Sequence, residues 1–375
     1  MKSDIKYLTV LSVLLVIIST PIALDSAFGE PKIPTDKFPV DKANIPSLPA
    51  NVRIIEYQDI TAIAVPLYTT VDDPANHVVG KGGPLDGVGD LIVTLSDGKY
   101  RCSGSLLSSG MHVLTAAHCV TDKFGNYNLV SAYITFEGDD GDQTISIDVA
   151  NSVVHPDYNG DFVRGNDVAV LKLVSSPTSD ISTLDIDRNT RDDVGTTADD
   201  KTGYGMSGTG DSGATLSSGT KRTGENLYDD VSDTMLKALG LKPGRDFVRG
   251  GVLQYDFDNG NSANDAFGYF FGNSDLGLGN NEASSAPGDS GGPSIANGVI
   301  IGVTSYGITL TFNGGGTSDV TPGVVDSSYG EFSGDSRVSK YAGFIDEIVG
   351  NTGDGGGTEE PAPKCSPGKQ KQGKC

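Results

Sequence analysis

From about residue 78 onward, short runs of β-branched and aliphatic residues alternate with turns rich in Gly, Asp and Asn. Leu91-Ile92-Val93-Thr94-Leu95, His112–Thr115, Ala132–Phe136, Val168–Val174 and Val299–Ser305 predict strands, and their spacing predicts barrels or a sandwich. Two segments carry apolar residues at helical spacing instead. Val231, Met235, Leu236 and Leu239 predict a helix ended by Gly240, and Val338, Tyr341, Ala342, Ile345, Ile348 and Val349 form the stripe of a second one, ended by Gly350. Both stripes are core-packing signals.

The ends of the chain read differently. Leu8–Ile18 is an almost unbroken apolar run behind Lys2 and Lys6, followed by Pro21 and Ala27-Phe28-Gly29, which predicts a signal peptide over 1–29. The run is too short to favour a membrane span, and no second one of spanning length follows. A secreted protein with no transmembrane segment after cleavage is therefore expected. Residues 30–77, with five prolines between Pro31 and Pro49, read as a propeptide or N-terminal extension. Residues 351–375 read as a Gly/Pro-rich linker and a small basic loop, Cys365 to Cys375, a candidate contact for a cell surface.

The chain's 375 residues allow two modest domains or one two-lobed domain. Absence of Trp and 51 glycines suit a loop-rich β protein. A net charge of −22 argues against a nucleic-acid partner, because phosphate binding needs clustered Lys and Arg. In an exported chain the four cysteines predict disulfides, and local pairing favours Cys102–Cys119 and Cys365–Cys375.

Three motifs carry chemistry. Thr115-Ala116-Ala117-His118-Cys119 supplies an imidazole at the end of a strand-like run, Asp167 opens the apolar strand Val168–Leu173, and Gly288-Asp289-Ser290-Gly291-Gly292-Pro293 sets a hydroxyl between glycines. A serine hydroxyl attacks a carbonyl only when a base takes its proton and a third group orients that base. Among the four histidines, His77, His112 and His155 read as structural, and His112 with His118 lacks a third zinc ligand at catalytic spacing. No metal or cofactor is expected for the chemistry.

The chain resembles the chymotrypsin/trypsin family of serine endopeptidases, especially its secreted microbial branch. The resemblance rests on Cys102–Leu107, Thr115–Cys119, His155-Pro156-Asp157-Tyr158, Asp167–Leu173, Gly203-Tyr204-Gly205, Gly288–Pro293, Ser305-Tyr306-Gly307 and Arg337–Tyr341, in family order across residues 78–350. The order His118, Asp167, Ser290 is also the family's, whereas α/β-hydrolases and subtilisins use others. The resemblance implies an all-β fold of two antiparallel six-stranded barrels, a C-terminal helix and a site in the cleft between barrels. It implies Ser290 as nucleophile, His118 as base, Asp167 as orienter, and the N–H groups of Gly288 and Ser290 as oxyanion hole. Ser305, Tyr306 and Gly307 would bind substrate. Residues 206–283 contain no family motif. The expected partners are protein or peptide substrates and the expected state is a monomer. The competing expectation is a non-catalytic relative serving as a binding module at the cell surface; an esterase of another fold conflicts with the residue order.

Ser284, six residues before the nucleophile, would be the floor of the primary specificity pocket, and a neutral floor disfavours Arg and Lys. Thr304 stands where glutamate-specific relatives carry His, so a small or apolar residue before the scissile bond is expected. Ala286 replaces a family cysteine, and the opposite wall stays open because extra residues separate Pro322-Gly323-Val324 from Arg337. Asp289 matches the family aspartate that pairs with a newly cut N-terminus. Val78-Val79-Gly80-Lys81 resembles that terminus, yet His77 precedes it, and Arg53-Ile54-Ile55 is an alternative cut site. The acidic loop Glu137–Asp142 is either a structural calcium loop or a solvated turn.

Overall fold

In the computed structural model, alternation over Leu129–Gly138 shows how the first half closes: Ala132, Ile134 and Phe136 are buried while residues between them face outward. Five more strands, several of them buried almost throughout, complete a closed antiparallel barrel. Its spatial order is Val88–Leu95, Gly98–Leu106, His112–Thr115, Ala169–Leu173, Gly141–Val154 and Leu129–Gly138. The structure describes residues 53–350 apart from 58–59, 66–67, 190–192, 242–246 and 313–315, and of 53–68 the backbone alone. The segment expected to be a signal peptide, the linker and the Cys365–Cys375 pair lie outside the described residues.

The second half is a ten-stranded sheet. Its path runs Arg222–Leu227, Thr197–Gly203, Pro293–Ala296, Val299–Phe312, Phe332–Arg337, Val252–Asp256 and Asp230–Val231. Three strands join beside that path. Asp185–Ile186 pairs parallel with the start of Val299–Phe312, and the hairpin of Arg53–Tyr57 with Ile60–Val65 pairs antiparallel along its far end. Tyr68–Thr70 pairs with Ala283–Ser285 as a separate two-stranded sheet. The segment grouped above with an N-terminal extension is thus, from residue 53 on, built into the second half. Its apolar run Ile60–Val65 satisfies the far edge of the 14-residue strand Val299–Phe312.

Helix α1 (Ser232–Ala238) buries Met235 and Leu236, helix α2 (Ala266–Phe271) follows the N-cap Asp265, and helix α3 (Val338–Val349) buries Val338, Tyr341, Ala342 and Ile345. Gly350 ends α3 with φ 76°, the left-handed conformation that a C-terminal glycine supplies. One apolar cluster runs from Leu91 and Ile134 through Val170 to Tyr306, Phe332 and Ile345, so the two halves share a core.

A buried ion pair knits the second sheet. Lys201 Nζ donates to Asp335 Oδ2 and Ser294 Oγ at 2.6 Å each, and lies 4.0 Å from the centre of the Tyr255 ring. Tyr228 donates to the same Asp335 oxygen at 2.6 Å. Removing one partner leaves an uncompensated charge in the interior, so Lys201→Ala should cost about 3–5 kcal/mol, read as a lower urea midpoint.

Candidate active site

His118 sits on the short 3-10 turn Ala117–Cys119, which the strand His112–Thr115 delivers to the edge of the first barrel. A disulfide from Cys119 to Cys102 ties that turn to the neighbouring strand. Asp167, fully buried, holds the histidine at two points: Oδ1 accepts the His118 backbone N–H at 2.8 Å, and Oδ2 accepts from ring Nδ1 at 2.7 Å. Ser305 Oγ donates to the same Oδ2 at 2.5 Å. Two further anchors come from the C-terminal end of the chain. Ser336 Oγ donates to the Asp167 carbonyl at 3.0 Å, and the Tyr341 hydroxyl on α3 accepts the N–H of Asn166, which is left-handed at φ 64°.

These bonds settle the tautomer. With Nδ1–H committed to a carboxylate, Nε2 carries the lone pair, and His118 Nε2 is buried with no hydrogen-bond partner among the described residues. The Phe162 ring meets the imidazole edge-on, centroids 6.4 Å apart.

Ser290 lies in a loop stapled to both halves: its carbonyl accepts from Ser103 N–H of the first barrel, and Gly291 N–H donates to Thr304 of the second, each at 2.8 Å. A Cβ on Gly291 would sit 1.9 Å from Thr115 Oγ1 and 2.9 Å from Ala116 N, so the loop presses against the residues just before His118. Gly288 has φ +106°, and Ser103 Oγ donates to its carbonyl at 3.0 Å. Among the described residues the N–H groups of Gly288 and Ser290 donate to no protein acceptor. Asp289 is buried beneath, accepting from Gly205 N–H at 2.7 Å and Ala286 N–H at 3.0 Å. Burial pushes its carboxyl well above the usual range; the Gly205 bond and the charges of Arg222 and Lys201 oppose that shift.

Ser284 is buried, and its hydroxyl lies 3.1 Å from Ser333 Oγ, as does that of Ser285. The strand that lies beside this stretch is Phe332–Arg337, not Pro322–Val324: Thr304 is opposite Asp335, Tyr306 opposite Gly334 and Gly307 opposite Ser333. Sequence reasoning missed Ser333 because it lies in the extra residues that separate Val324 from Arg337, where no motif marks it. It also missed that Ser305 binds Asp167. Tyr306 is fully buried, receives Gln254 Nε2 at 2.9 Å on its hydroxyl and packs on Phe162 at 5.4 Å.

The acidic loop at 137–142 is a tight hairpin, Glu137 opposite Asp142, with Lys221 3.6 Å from Glu137 and Lys81 2.5 Å from Asp142. Among the other histidines, His155 packs on Tyr341 and Phe344, His77 bonds Asp72 and the Thr223 carbonyl, and His112 contacts Ser109. None of these reaches Ser290 or Asp167 by any described bond. No helix among the described residues is long and apolar enough to cross a membrane.

The family model described as Trypsin matches residues 85–250. The chain is 30% identical to trypsin I-P1 of Gallus gallus over 250 residues, 63% of this chain and 81% of that protein. It is 40% identical to the venom serine protease Bi-VSP of Bombus ignitus over 81 residues, 20% of each chain. A solved structure, "HL collagenase structure at 1.7 Å resolution", covers 73% of this chain and 98% of its own at 21% identity, with a TM-score of 0.47. On its similarity to vertebrate trypsin over most of that enzyme's length, the chain belongs to the chymotrypsin/trypsin-like family of serine proteases and is a serine-type endopeptidase.

Proposed function

We propose that this endopeptidase works through Ser290, His118 and Asp167, outside the cell, on bonds that follow a small or apolar residue. The observation that supports the triad is the pair of bonds from Asp167 to His118, which leave Nε2 buried and without a hydrogen-bond partner among the described residues, free to act as the base. Ser290 Oγ gives its proton to Nε2 as it attacks the peptide carbonyl; the oxyanion takes the N–H groups of Gly288 and Ser290; His118 then protonates the leaving amine. Water, deprotonated by the same imidazole, releases the acyl group. A fluorophosphonate probe should label Ser290 stoichiometrically in the processed enzyme, located by peptide mass. Labelling elsewhere, or none, would overturn the assignment.

Three hydroxyls, from Ser284, Ser285 and Ser333, meet without a charge where the resemblance puts the specificity pocket. That composition supports a neutral, small residue before the scissile bond. Ser333→Gly should widen the pocket and raise kcat/KM for Leu or Phe over Ala substrates by about tenfold or more, measured on matched peptides.

Residues 60–70 bear on when the site works. Val299–Phe312 pairs with Phe332–Arg337 on one edge, and Ile60–Val65 covers the other edge from Gly307 outward, with Val65 opposite Gly307. A peptide substrate binds such an edge as an added antiparallel strand. Just beyond, Thr69 lies opposite Ser284 and Tyr68 opposite Ser285, with Thr69 and Thr70 fully buried. Ser290 and His118 are 2% and 1% exposed. This arrangement supports a latent chain whose own N-terminal segment occupies the substrate edge, at the high effective concentration of a tethered ligand. Because Asp289 is satisfied by backbone N–H groups, removal of the segment is the activating event. Cleavage that releases residues up to 65 should raise peptidase activity more than tenfold, about what tethering sustains. Terminal sequencing of the active form decides: full activity in a chain still starting near residue 30 would exclude latency.

A further inference from the structure

Between Asp256 and Glu282 runs a segment that the chemistry above does not use. Carboxylate oxygens of Asp256, Asp258 and Asp265 lie within 4.8 Å of one another, and all three residues are buried. Asp229 and Glu282, also buried, add their fields to Asp258. Among the described residues no Lys, Arg or His forms an ion pair with any of the five.

Part of this charge is met by the backbone. Asp256 Oδ2 accepts Phe267 N–H at 2.7 Å, Asp265 Oδ1 accepts Gly268 N–H at 2.5 Å, and Glu282 accepts Asp258 N–H at 2.8 Å. Asp258 differs. It is 3% exposed, and its Oδ1 is buried with no hydrogen-bond partner. A buried carboxylate without a donor or counter-charge is among the costliest groups a fold can hold. Burial first, then repulsion from Asp256 and Glu282, pushes the Asp258 carboxyl upward, as expected where negative charge gathers unopposed.

We propose that Asp256, Asp258 and Asp265 bind a divalent hard cation of the calcium type. Oxygen-only donors exclude a zinc preference. Calcium accepts six to eight oxygens in irregular arrangements, whereas magnesium retains several waters, for which a buried cluster leaves little room. The site is separate from the Glu137–Asp142 hairpin, whose outer carboxylates already pair with lysines.

The position gives the ion a role. Asn226 Nδ2 donates to both the Asp256 and the Ala283 carbonyls at 2.9 Å, joining the cluster to the strand that carries Ser284. Phe267, on α2 two residues beyond the N-cap Asp265, packs on Phe332 at 5.0 Å, beside Ser333. The cation therefore braces both walls of the specificity pocket.

The test uses the full chain with Ser290→Ala, to prevent self-digestion, in calcium chloride or in chelator. Calcium should raise Tm by about 5 °C or more and titrate calorimetrically at one ion per chain. Asp258→Asn should abolish the shift while unfolding no lower than the parent in chelator, because the exchange removes an unpaired buried charge. Asp142→Asn should keep the shift. No calcium shift in the parent, an intact shift in Asp258→Asn, or loss in Asp142→Asn alone would each overturn the proposal. If Asp258→Asn fails to fold, the titration on the parent and on Asp265→Asn decides: no heat in the parent, or full binding by Asp265→Asn, rejects the site.

Discussion

Ser290→Ala should lower kcat by about 10⁶ while leaving the fold in place. The loop is held by its backbone: Ser103 N–H donates to the Ser290 carbonyl and Gly291 N–H to Thr304, and neither bond involves the hydroxyl. Among the described residues no hydrogen bond ties Ser290 Oγ to the protein, so its removal deletes the nucleophile and little else. The oxyanion donors of Gly288 and residue 290 survive, and such a hole with substrate binding still accelerates hydrolysis about 10³ to 10⁴-fold over water. Steady-state hydrolysis of a neutral peptide by the processed enzyme, with its unfolding midpoint as control, measures the drop. A variant retaining more than about a hundredth of the activity would remove Ser290 from the mechanism, since loss of a triad nucleophile never costs so little.

The second large effect is expected from Asp167→Asn, a change of almost no volume. Asp167 Oδ1 and Oδ2 accept from His118 at two points and from Ser305 at a third. An amide offers one acceptor oxygen and an NH₂ that must face a donor or turn the imidazole over. The relaxed arrangement puts the amide N–H against an unprotonated Nδ1, which moves the ring proton to Nε2. That tautomer cannot take the serine proton, and kcat should fall about 10⁴-fold at neutral pH. Binding should change much less, so the loss appears in kcat and leaves KM nearly untouched. Retention of more than a few percent of activity would sink the orienter role. The Ser336 and Tyr341 bonds fall on the backbone at 166–167 and survive the exchange, so a folded variant is expected.

Much of the site was legible because its parts are local. His118 beside Cys119, Asp167 at the head of an apolar strand, and Ser290 among glycines each announce themselves within six residues. The same holds for α1 and α3, whose apolar stripes need only helical periodicity. Ser305 was legible only in part, as a substrate-binding residue, and Ser333 was not legible at all. Which residue faces Ser284 depends on the register of Phe332–Arg337 against Val299–Phe312, and a one-residue slip turns every side chain to the other face. An inserted segment hides that register from any reading along the chain.

Composition and order along the sequence determined the class of chemistry, the disulfide at Cys102 and Cys119 and the all-β character. Tertiary structure decided the rest: that Ile60–Val65 pairs along Gly307–Phe312, that Ser333 meets Ser284, and that Asp256, Asp258 and Asp265 converge. The reason is physical. Motifs and periodicities are set by immediate neighbours in the chain, whereas strand pairing and burial of charge are set by groups that only the fold brings together, competing for the same edge or cavity.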